Sequence, residues 1–319
     1  MSNLMDGLHV DHPRYERARQ DALAYLDVCS DGGGIIPILG PTRCGKTDLL
    51  HVLHEQVNLT ARLAGELPLD EFDNFLYGVV PPRPSDAGIY RTILRSIGAL
   101  VSQSEKTDAL RDRTIRLIRE RDIRVIALDE CSHCAEAGAN FPKRAAADTF
   151  KFLRDQTGIT FILSGLPKFQ EIIQENEQLR ERSMRTIELH PYQWSLEEDR
   201  TAFYGCVHAA VEHLKDNGVA VDLDLPDITK RLYGISGGRV GEMFELFKKT
   251  AVRLRTGDSL NAQSLERTAK MLFQQPAGLP DMFEFDRVPD FELSKAYARV
   301  MSDAGLSVPV RSALDIAAE

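Results

Sequence analysis

The sequence predicts an α/β fold in which a parallel sheet is flanked by helices and followed by a small all-α domain. Up to about residue 190, short apolar segments alternate with amphipathic helical patterns, as in parallel sheets covered on both faces. A glycine-containing loop joins the first apolar segment to the helical segment after it. From about Ser195 to Phe273 strand patterns stop and helical patterns dominate. We therefore expect an α/β domain over 1–194, a helical domain over 195–275 and a C-terminal tail over 276–319.

The elements of the α/β domain follow one another in a regular order. Helical spacing of apolar residues predicts a helix over His12–Val28, and Ile35–Leu39 is the first strand. A second strand, Asn74–Val80, is closed by a proline-rich segment, after which Ser85 or Asp86 can cap a helix. The remaining predicted elements are a helix near Ile89–Leu100, a charged helix over Thr107–Glu120, a helix over Phe141–Arg154, and buried strands at Ile123–Leu128 and Gly158–Leu163.

The loop after the first strand has the spacing of a phosphate-binding P-loop. It reads Gly40-Pro41-Thr42-Arg43-Cys44-Gly45-Lys46-Thr47, and Asp48 continues it into a helix. The glycines let successive backbone N–H groups point at a phosphate chain, and the helix N-terminus adds a positive dipole end. Lys46 would neutralise the phosphates, and the Thr47 hydroxyl would bind Mg²⁺. The loop therefore predicts ATP and Mg²⁺ as cofactors.

An acidic pair ends the strand that contains Val125–Leu128. In this position Asp129 would orient Mg²⁺, and Glu130 would act as a general base towards the attacking water. A solvated turn is the alternative for such a pair considered alone. The P-loop earlier in the chain favours the catalytic interpretation. The pair itself indicates a hydrolysing ATPase rather than a kinase, which would place an acceptor site there.

Two further polar residues are candidates for contact with the γ-phosphate. Ser164 ends the next strand, where a polar residue would hold the attacking water, the sensor position of AAA+ ATPases; the alternative is a turn before Pro167. Arg239 lies at a helix N-terminus after two glycines. A helix N-terminus disfavours a cation, which points to an external anion as its partner. The alternative is a surface arginine beside Glu242.

Three arginines precede Trp194: Arg180, Arg182 and Arg185. In an oligomeric ATPase, one such guanidinium would reach the γ-phosphate bound by the neighbouring subunit and stabilise charge in the transition state. The alternative is a solvated helix face paired with nearby glutamates.

The overall charge of −9 excludes a global basic field for nucleic acid, so DNA binding would need a local patch. Lys106 and Arg111 are candidates on the charged helix, although interleaved acidic residues favour a solvated face there. Lys143 and Arg144 lie in the first turn of a predicted helix, where cations are unfavourable, and a phosphate contact would explain them.

The five cysteines and the termini predict a cytoplasmic protein that does not enter a membrane. An odd number of cysteines, one of them in the P-loop, is typical of free thiols. Cys131-Ser132-His133-Cys134 has no second ligand pair at a usual spacing, so we do not favour a zinc site. No apolar stretch approaches the roughly 20 residues that span a bilayer, and the N-terminus lacks a signal-peptide pattern.

These motifs, in this order, resemble the TniB/TnsC group of AAA+ transposition regulators over residues 14–195. The resemblance rests on the P-loop, Val80–Ser85, the helix with Ile89-Tyr90 and Ile93-Leu94 that ends at Gly98, Leu128–His133, Ser164-Gly165, Gln178–Arg182 and Leu189–Trp194. It implies an ATP-dependent regulator of transposition that oligomerises on double-stranded DNA, as a ring or filament of roughly six or seven subunits per turn. It also implies recruitment of a transposase and a TniQ-like target-selection protein, disassembly on hydrolysis, and Arg182 as the arginine that acts across subunits.

Three departures from the family pattern and two alternative functions remain. Cys131 and Cys134, which follow Asp129-Glu130, have no counterpart in that pattern. Ser183 stands where the family usually has an aromatic residue, and Pro37 removes a hydrogen-bond donor from the first strand, where a bulge would accommodate it.

A helicase-loader or origin-type AAA+ ATPase would carry the same nucleotide motifs. A nucleotide-gated DNA-binding scaffold with little turnover would carry them as well. A partner-binding role for the acidic tail follows from its position and composition.

Overall fold

The computed structural model describes residues 10, 12–65, 73–136, 143–254, 258–274 and 279–309. The chain divides into two compact units. The α/β unit comprises Arg17–Gly40 and Lys46–Leu189, and the helical unit comprises Met1–Glu16, Pro41–Gly45 and His190–Glu319.

A five-stranded parallel sheet forms the centre of the α/β unit. Its strands are β1 (Ile35–Leu39), β2 (Phe75–Val79), β3 (Val125–Asp129), β4 (Thr160–Gly165) and β5 (Ile187–Glu188), in the order β2-β3-β4-β1-β5. Every residue of β1, β3 and β4 is buried. Because both faces of these strands are covered, their sequences are continuous apolar runs rather than alternating ones. The predicted parallel sheet flanked by helices is confirmed.

Helices cover this sheet: α1 (Pro13–Val28, whose first residues belong to the helical unit), α2 (Lys46–Leu63), α3 (Asp86–Ser96), α4 (Thr107–Glu120), α5 (Lys143–Thr157), α6 (Gln170–Glu175) and α7 (Glu177–Arg180). Ser85 caps α3, since its side chain accepts a hydrogen bond from the backbone N–H of Gly88 at 3.1 Å. Leu110 and Ile118 of α4 are buried, while its charged residues face outward.

Pro37 lies in β1 without a bulge. The register between β1 and β4 is continuous, and Pro37 pairs with Leu163. Along a strand, the backbone N–H and C=O groups of successive residues point in turn to the strand on one side and to the strand on the other. Those of Ile35 point to the β5 side, where its carbonyl accepts a hydrogen bond from the Met184 N–H. Pro37 faces that same side, before the β5 pairing begins at Ile38 and Ile187. Its missing N–H therefore falls where this short edge strand offers no ladder partner.

The helical unit contains α8 (Glu197–Asp216), α9 (Leu225–Ser236), α10 (Val240–Arg253), α11 (Ala262–Leu272) and α12 (Asp290–Asp303). Two strands that the sequence did not predict, β6 (Ala220–Asp222) and β7 (Ser259–Asn261), form a small parallel sheet. Strands of three residues are too short to show a period, which explains why the pattern missed them.

Helix α12, within the segment expected to form a tail, packs against α9. Leu293, Tyr297 and Met301 of α12 are buried in the core of the helical unit. Residues 310–319, the end of that segment, lie outside the described residues. Among the described helices, none is long and apolar enough to cross a bilayer.

Candidate nucleotide-binding site

The loop between β1 and α2 has the backbone conformation that phosphate binding requires. Arg43 has φ 63° and Gly45 has φ 90°, and α2 begins at the next residue. Within the described residues, the N–H groups of Arg43 and Gly45 donate to no acceptor. Alternation of left-handed and right-handed residues turns such groups to one side, which forms an anion-binding concavity. These residues therefore fit a phosphate chain.

Two residues at the ends of this loop are fixed inside the α/β unit. A Cβ at Gly40 would lie 2.1 Å from the Leu189 carbonyl oxygen, so only glycine fits there. The Lys46 side chain is buried, and its Nζ donates to the Gly40 carbonyl at 2.8 Å. The ammonium group is thus held beside the start of the loop, as expected for a phosphate-binding lysine.

The Asp129 carboxylate, only 4% exposed, collects three hydrogen bonds. Thr47 Oγ1 donates to Oδ2 at 2.6 Å, Ser164 Oγ donates to Oδ1 at 2.8 Å, and the Glu130 N–H donates to Oδ1 at 2.8 Å. Parallel neighbours β3 and β4 end at the same edge of the sheet, which brings Ser164 to Asp129. Hydroxyl and carboxylate oxygens are the ligands that Mg²⁺ prefers. Thr47 and Asp129 therefore fit the predicted metal.

Glu130 adopts a left-handed backbone conformation, with φ 57° and ψ 30°. It precedes a short 3₁₀ helix, Cys131–Ala135, and its carbonyl accepts a hydrogen bond from the His133 N–H at 3.0 Å. Its carboxylate is half-buried and has no hydrogen bond within the described part of the chain. Left-handed non-glycine residues are uncommon and cluster at functional sites. The turn therefore holds, directly after Asp129, a carboxylate to which no described group is bound.

Tyr77 of β2 lies near the Asp129 and Glu130 carboxylates, although the sequence analysis did not select it. Burial, followed by the nearby Asp129 and Glu130 carboxylates, raises the pKa of Tyr77 to about 12. The His51 ring of α2 lies 4.5 Å from the Tyr77 ring, centroid to centroid. The phenol therefore stays protonated near Asp129 at neutral pH. A polar-tipped aromatic residue in an otherwise apolar strand was the only sequence signal.

Cys131 and Cys134 are core residues, each at most 1% exposed. Burial raises the pKa of the Cys134 thiol to about 12 and that of Cys131 well above its usual value. Cys131 Sγ donates to the Leu128 carbonyl at 3.2 Å. In the described ranges, no group of three or more His, Cys, Asp or Glu side chains could hold a metal. Packing thus accounts for two cysteines that the motif comparison did not.

The three arginines before Trp194 are held to different degrees. Arg182 Nε donates to Asp155 Oδ1 and its Nη1 donates to the Gln178 carbonyl, both at 2.8 Å. Although partial burial acts to raise the pKa of Asp155, hydrogen bonds from Arg182 and Arg154 lower it below its usual value. Among the described residues, the Arg180 side chain contacts one backbone carbonyl, that of Gln174, at 3.1 Å. Arg185 is exposed and contacts no acceptor among the described residues.

In the helical unit, the P-loop residue Arg43 is bound to α10. Its Nε lies 3.0 Å from Glu242 Oε2, and its carbonyl accepts a hydrogen bond from the Gly241 N–H at 3.1 Å. A Cβ at Gly241 would lie 2.6 Å from that carbonyl oxygen. Arg239 Nε donates to the Ser236 carbonyl at 2.7 Å, and its Nη2 lies 3.8 Å from Glu242 Oε1. The two predicted cofactor-binding arginines therefore share one carboxylate.

The candidate DNA-binding residues divide into paired and unpaired ones. Arg111 lies 3.1 Å from both Asp108 and Asp112, which favours the solvated-face alternative for it. Lys106 is exposed directly before α4, and no side chain in the described ranges pairs with it. Arg144 is 88% exposed and 3.9 Å from Asp148. The side chain of Lys143 lies outside the described residues.

Comparison with solved structures shows the fold of the chain. The crystal structure of Cdc6p from Pyrobaculum aerophilum matches with a TM-score of 0.60 and 14% identity, covering 98% of this chain and 86% of that one. The Aeropyrum pernix ORC1 protein in complex with DNA matches with a TM-score of 0.60 and 13% identity, covering 99% and 85%. The Aeropyrum pernix ORC2 protein, in ADPNP-ADP complexes, matches with a TM-score of 0.59 and 13% identity, covering 99% and 88%.

Comparison by sequence gives the family. No curated protein matches the chain. The family model described as the bacterial TniB protein matches residues 33–194, which contain the P-loop, Asp129, Glu130, Ser164 and the three arginines. With an AAA+ ATPase fold and a family match over half its length, the chain belongs to the TniB family.

Proposed function

We propose that this protein is an ATPase that regulates DNA transposition. In this proposal the ATP-bound form oligomerises on double-stranded target DNA and recruits a transposase and a TniQ-like target-selection protein, and hydrolysis disassembles it. The observation that carries the ATPase assignment is the cluster of Thr47, Ser164 and Asp129 directly before the left-handed Glu130. Membership of the TniB family supports the transposition assignment.

The chemistry can be assigned to residues of this chain. The N–H groups of the P-loop and the Lys46 ammonium would bind the phosphates, and Thr47 and Asp129 would hold the metal. Mg²⁺ bound with ATP supplies charge neutralisation at the phosphates. Glu130 accepts the proton of the attacking water, since its carboxylate is not occupied by another described group. Ser164 fixes one Asp129 oxygen through its hydrogen bond.

We assign the arginine that acts across subunits to Arg182. Reaching a neighbouring nucleotide requires Arg182 to leave Asp155, 2.8 Å away, and to exchange one anion for another. ATP bound between subunits would therefore act as an assembly switch, because hydrolysis removes the phosphate that attracts this arginine. Arg185 is the alternative, since it is exposed and contacts no described acceptor.

DNA binding is assigned to Lys143, Arg144 and Lys106, with Arg111 the weakest candidate because its charge is already paired. The Aeropyrum pernix ORC1 protein, which shares the fold, was solved in complex with DNA. That likeness also favours a second candidate function, an origin-type or helicase-loading ATPase. As a regulator acting on bacterial DNA, the protein would work in the cytoplasm.

Sedimentation with linear duplex DNA tests the proposal. Large DNA-bound assemblies are expected with ATP or a slowly hydrolysed analogue and not with ADP. Glu130→Gln should keep these assemblies from dissociating, because binding remains while hydrolysis stops. Assembly and release of Glu130→Gln at the wild-type rate would favour the scaffold with little turnover. Absence of assembly with every nucleotide would favour the helicase-loader function or the scaffold.

A charge-reversal pair tests the DNA surface. Lys143→Glu with Arg144→Glu should weaken binding and reduce the slope of log affinity against log salt by about two units, since each lost phosphate contact removes about 0.9. The matched control is Lys215→Glu with Lys270→Glu, which changes the net charge equally at exposed positions of the helical unit. An equal loss of DNA affinity in both variants would contradict the assignment of Lys143 and Arg144 to the DNA surface, because the change in net charge would then explain both losses.

A further inference from the structure

The Glu242 carboxylate lies between two guanidinium groups of the helical unit. Its Oε2 is 3.0 Å from Arg43 Nε, and its Oε1 is 3.8 Å from Arg239 Nη2. The side chain is 11% exposed, against 49% for Arg43 and 20% for Arg239. Arg43 belongs to the P-loop and Arg239 directly precedes α10. One buried acid therefore connects the loop to the arginine that is the candidate for γ-phosphate contact.

A carboxylate in this position opposes the binding of a polyphosphate. Arg43 contacts Glu242 directly, so the negative charge lies beside the loop whose N–H groups fit phosphates. Both contacts are ion pairs, and they differ in length: 3.0 Å for Arg43 and 3.8 Å for Arg239. Arg239 is therefore the partner that a phosphate can remove more easily.

Glu245 provides a comparison on the same helix. Its carboxylate lies 3.6 Å from Arg43 Nη1. It also lies 3.5 Å from the Nζ of Lys249, which is one turn further along α10. Glu245 thus adds a second negative charge near the loop. It differs from Glu242 in forming no ion pair with Arg239 within the described part of the chain.

We propose that Glu242 is a positioning residue that restrains Arg239 and thereby limits the preference of this site for triphosphate over diphosphate. The inference rests on the proposed nucleotide site and adds its regulation. In the nucleotide-free chain Glu242 neutralises Arg239. A γ-phosphate competes with the Glu242 carboxylate for that guanidinium, while a diphosphate lacks the group that does so. Arg43 keeps Glu242 in place through its shorter contact, so α10 remains attached to the loop.

Equilibrium binding of fluorescent mant-ATP and mant-ADP with Mg²⁺ tests this inference without a turnover measurement. The quantity compared is the ratio of the two dissociation constants in the full-length chain. Glu242→Gln should shift the ratio about tenfold in favour of mant-ATP, within the usual range of linked binding effects. Glu245→Gln, the matched control, should shift it less than about twofold, because it removes the same charge without releasing Arg239.

A double-mutant cycle separates the contact from general electrostatics. Arg239→Gln should reduce the preference for mant-ATP, and Glu242→Gln should have no further effect in that background, since the two residues act as one unit. Arg239→Gln leaves the Arg43–Glu242 contact in place, so it keeps the inference testable should Glu242→Gln fail to fold.

Three results would overturn the inference. They are an unchanged ratio in Glu242→Gln, an equal shift in Glu245→Gln, and an unchanged ratio in Arg239→Gln. Each of these leaves the proposed nucleotide site standing, because both nucleotides still bind. Failure of the wild-type chain to bind either mant-nucleotide would instead overturn the nucleotide site itself, and the inference with it.

Discussion

Replacement of Glu130 by glycine is expected to stabilise the protein while it abolishes ATP hydrolysis. Glu130 has φ 57° and ψ 30°, a region that costs an L-residue roughly 1–2 kcal/mol. Glycine adopts this region freely but loses more conformational freedom on folding, which offsets about 0.5–1 kcal/mol. Since the carboxylate has no hydrogen bond to a described group, its removal costs little. The net gain is about 1 kcal/mol, or a rise of about 1.5 °C in Tm for a chain of this length.

Thermal unfolding of the nucleotide-free chain, alongside phosphate release, measures both parts of this prediction. Glu130→Ala is the matched control, because it removes the carboxylate and keeps a Cβ in the left-handed conformation. Both variants should lose hydrolysis, and only Glu130→Gly should gain stability. Equal Tm values for the two variants would refute the argument that the backbone at Glu130 is strained. Hydrolysis at the wild-type rate in Glu130→Ala would refute its role as the general base.

Three other predictions concern packing, thiols and pH. Gly238→Ala should destabilise the chain by at least about 2 kcal/mol in denaturant unfolding, because φ is +82° and the new Cβ would lie 2.1 Å from a carbonyl oxygen; Gly205→Ala, in open space on α8, should not destabilise it. Cys134 should resist alkylation at pH 8 until the chain unfolds, since its pKa is about 12, and peptide mapping would detect earlier labelling. In the folded chain the pKa of Asp155 is lower than its usual value of 3.8. The ionised Asp155 therefore stabilises the folded state fully at pH values above 3.8, and this stabilisation is lost as the pH falls through the folded-state pKa. The Tm difference between wild type and Asp155→Asn should therefore be constant from about pH 8 to 5 and shrink below about pH 4; a constant difference at lower pH would contradict it.

The sequence by itself determined the fold and the central part of the candidate site. β1, β3 and β4 are buried on both faces, so their composition identifies them without knowledge of their neighbours. The P-loop depends on residues adjacent in the chain. Ser164 could be selected because parallel strands end at one edge of the sheet, which places their last residues together. Local rules were sufficient for these features.

Only the tertiary structure decided which partners these residues have. Asp155 meets Arg182, and Glu242 meets Arg43, through packing of elements that are distant in sequence. No period or spacing in the sequence encodes such pairs.

The same holds for Tyr77 beside Asp129, and for the burial that makes Cys131 a core residue. The left-handed turn at Glu130 is a further case, because glutamate has no preference for that conformation and the surrounding structure must impose it. Local sequence thus sets which residues can act on a nucleotide, and packing sets what each of them is bound to beforehand.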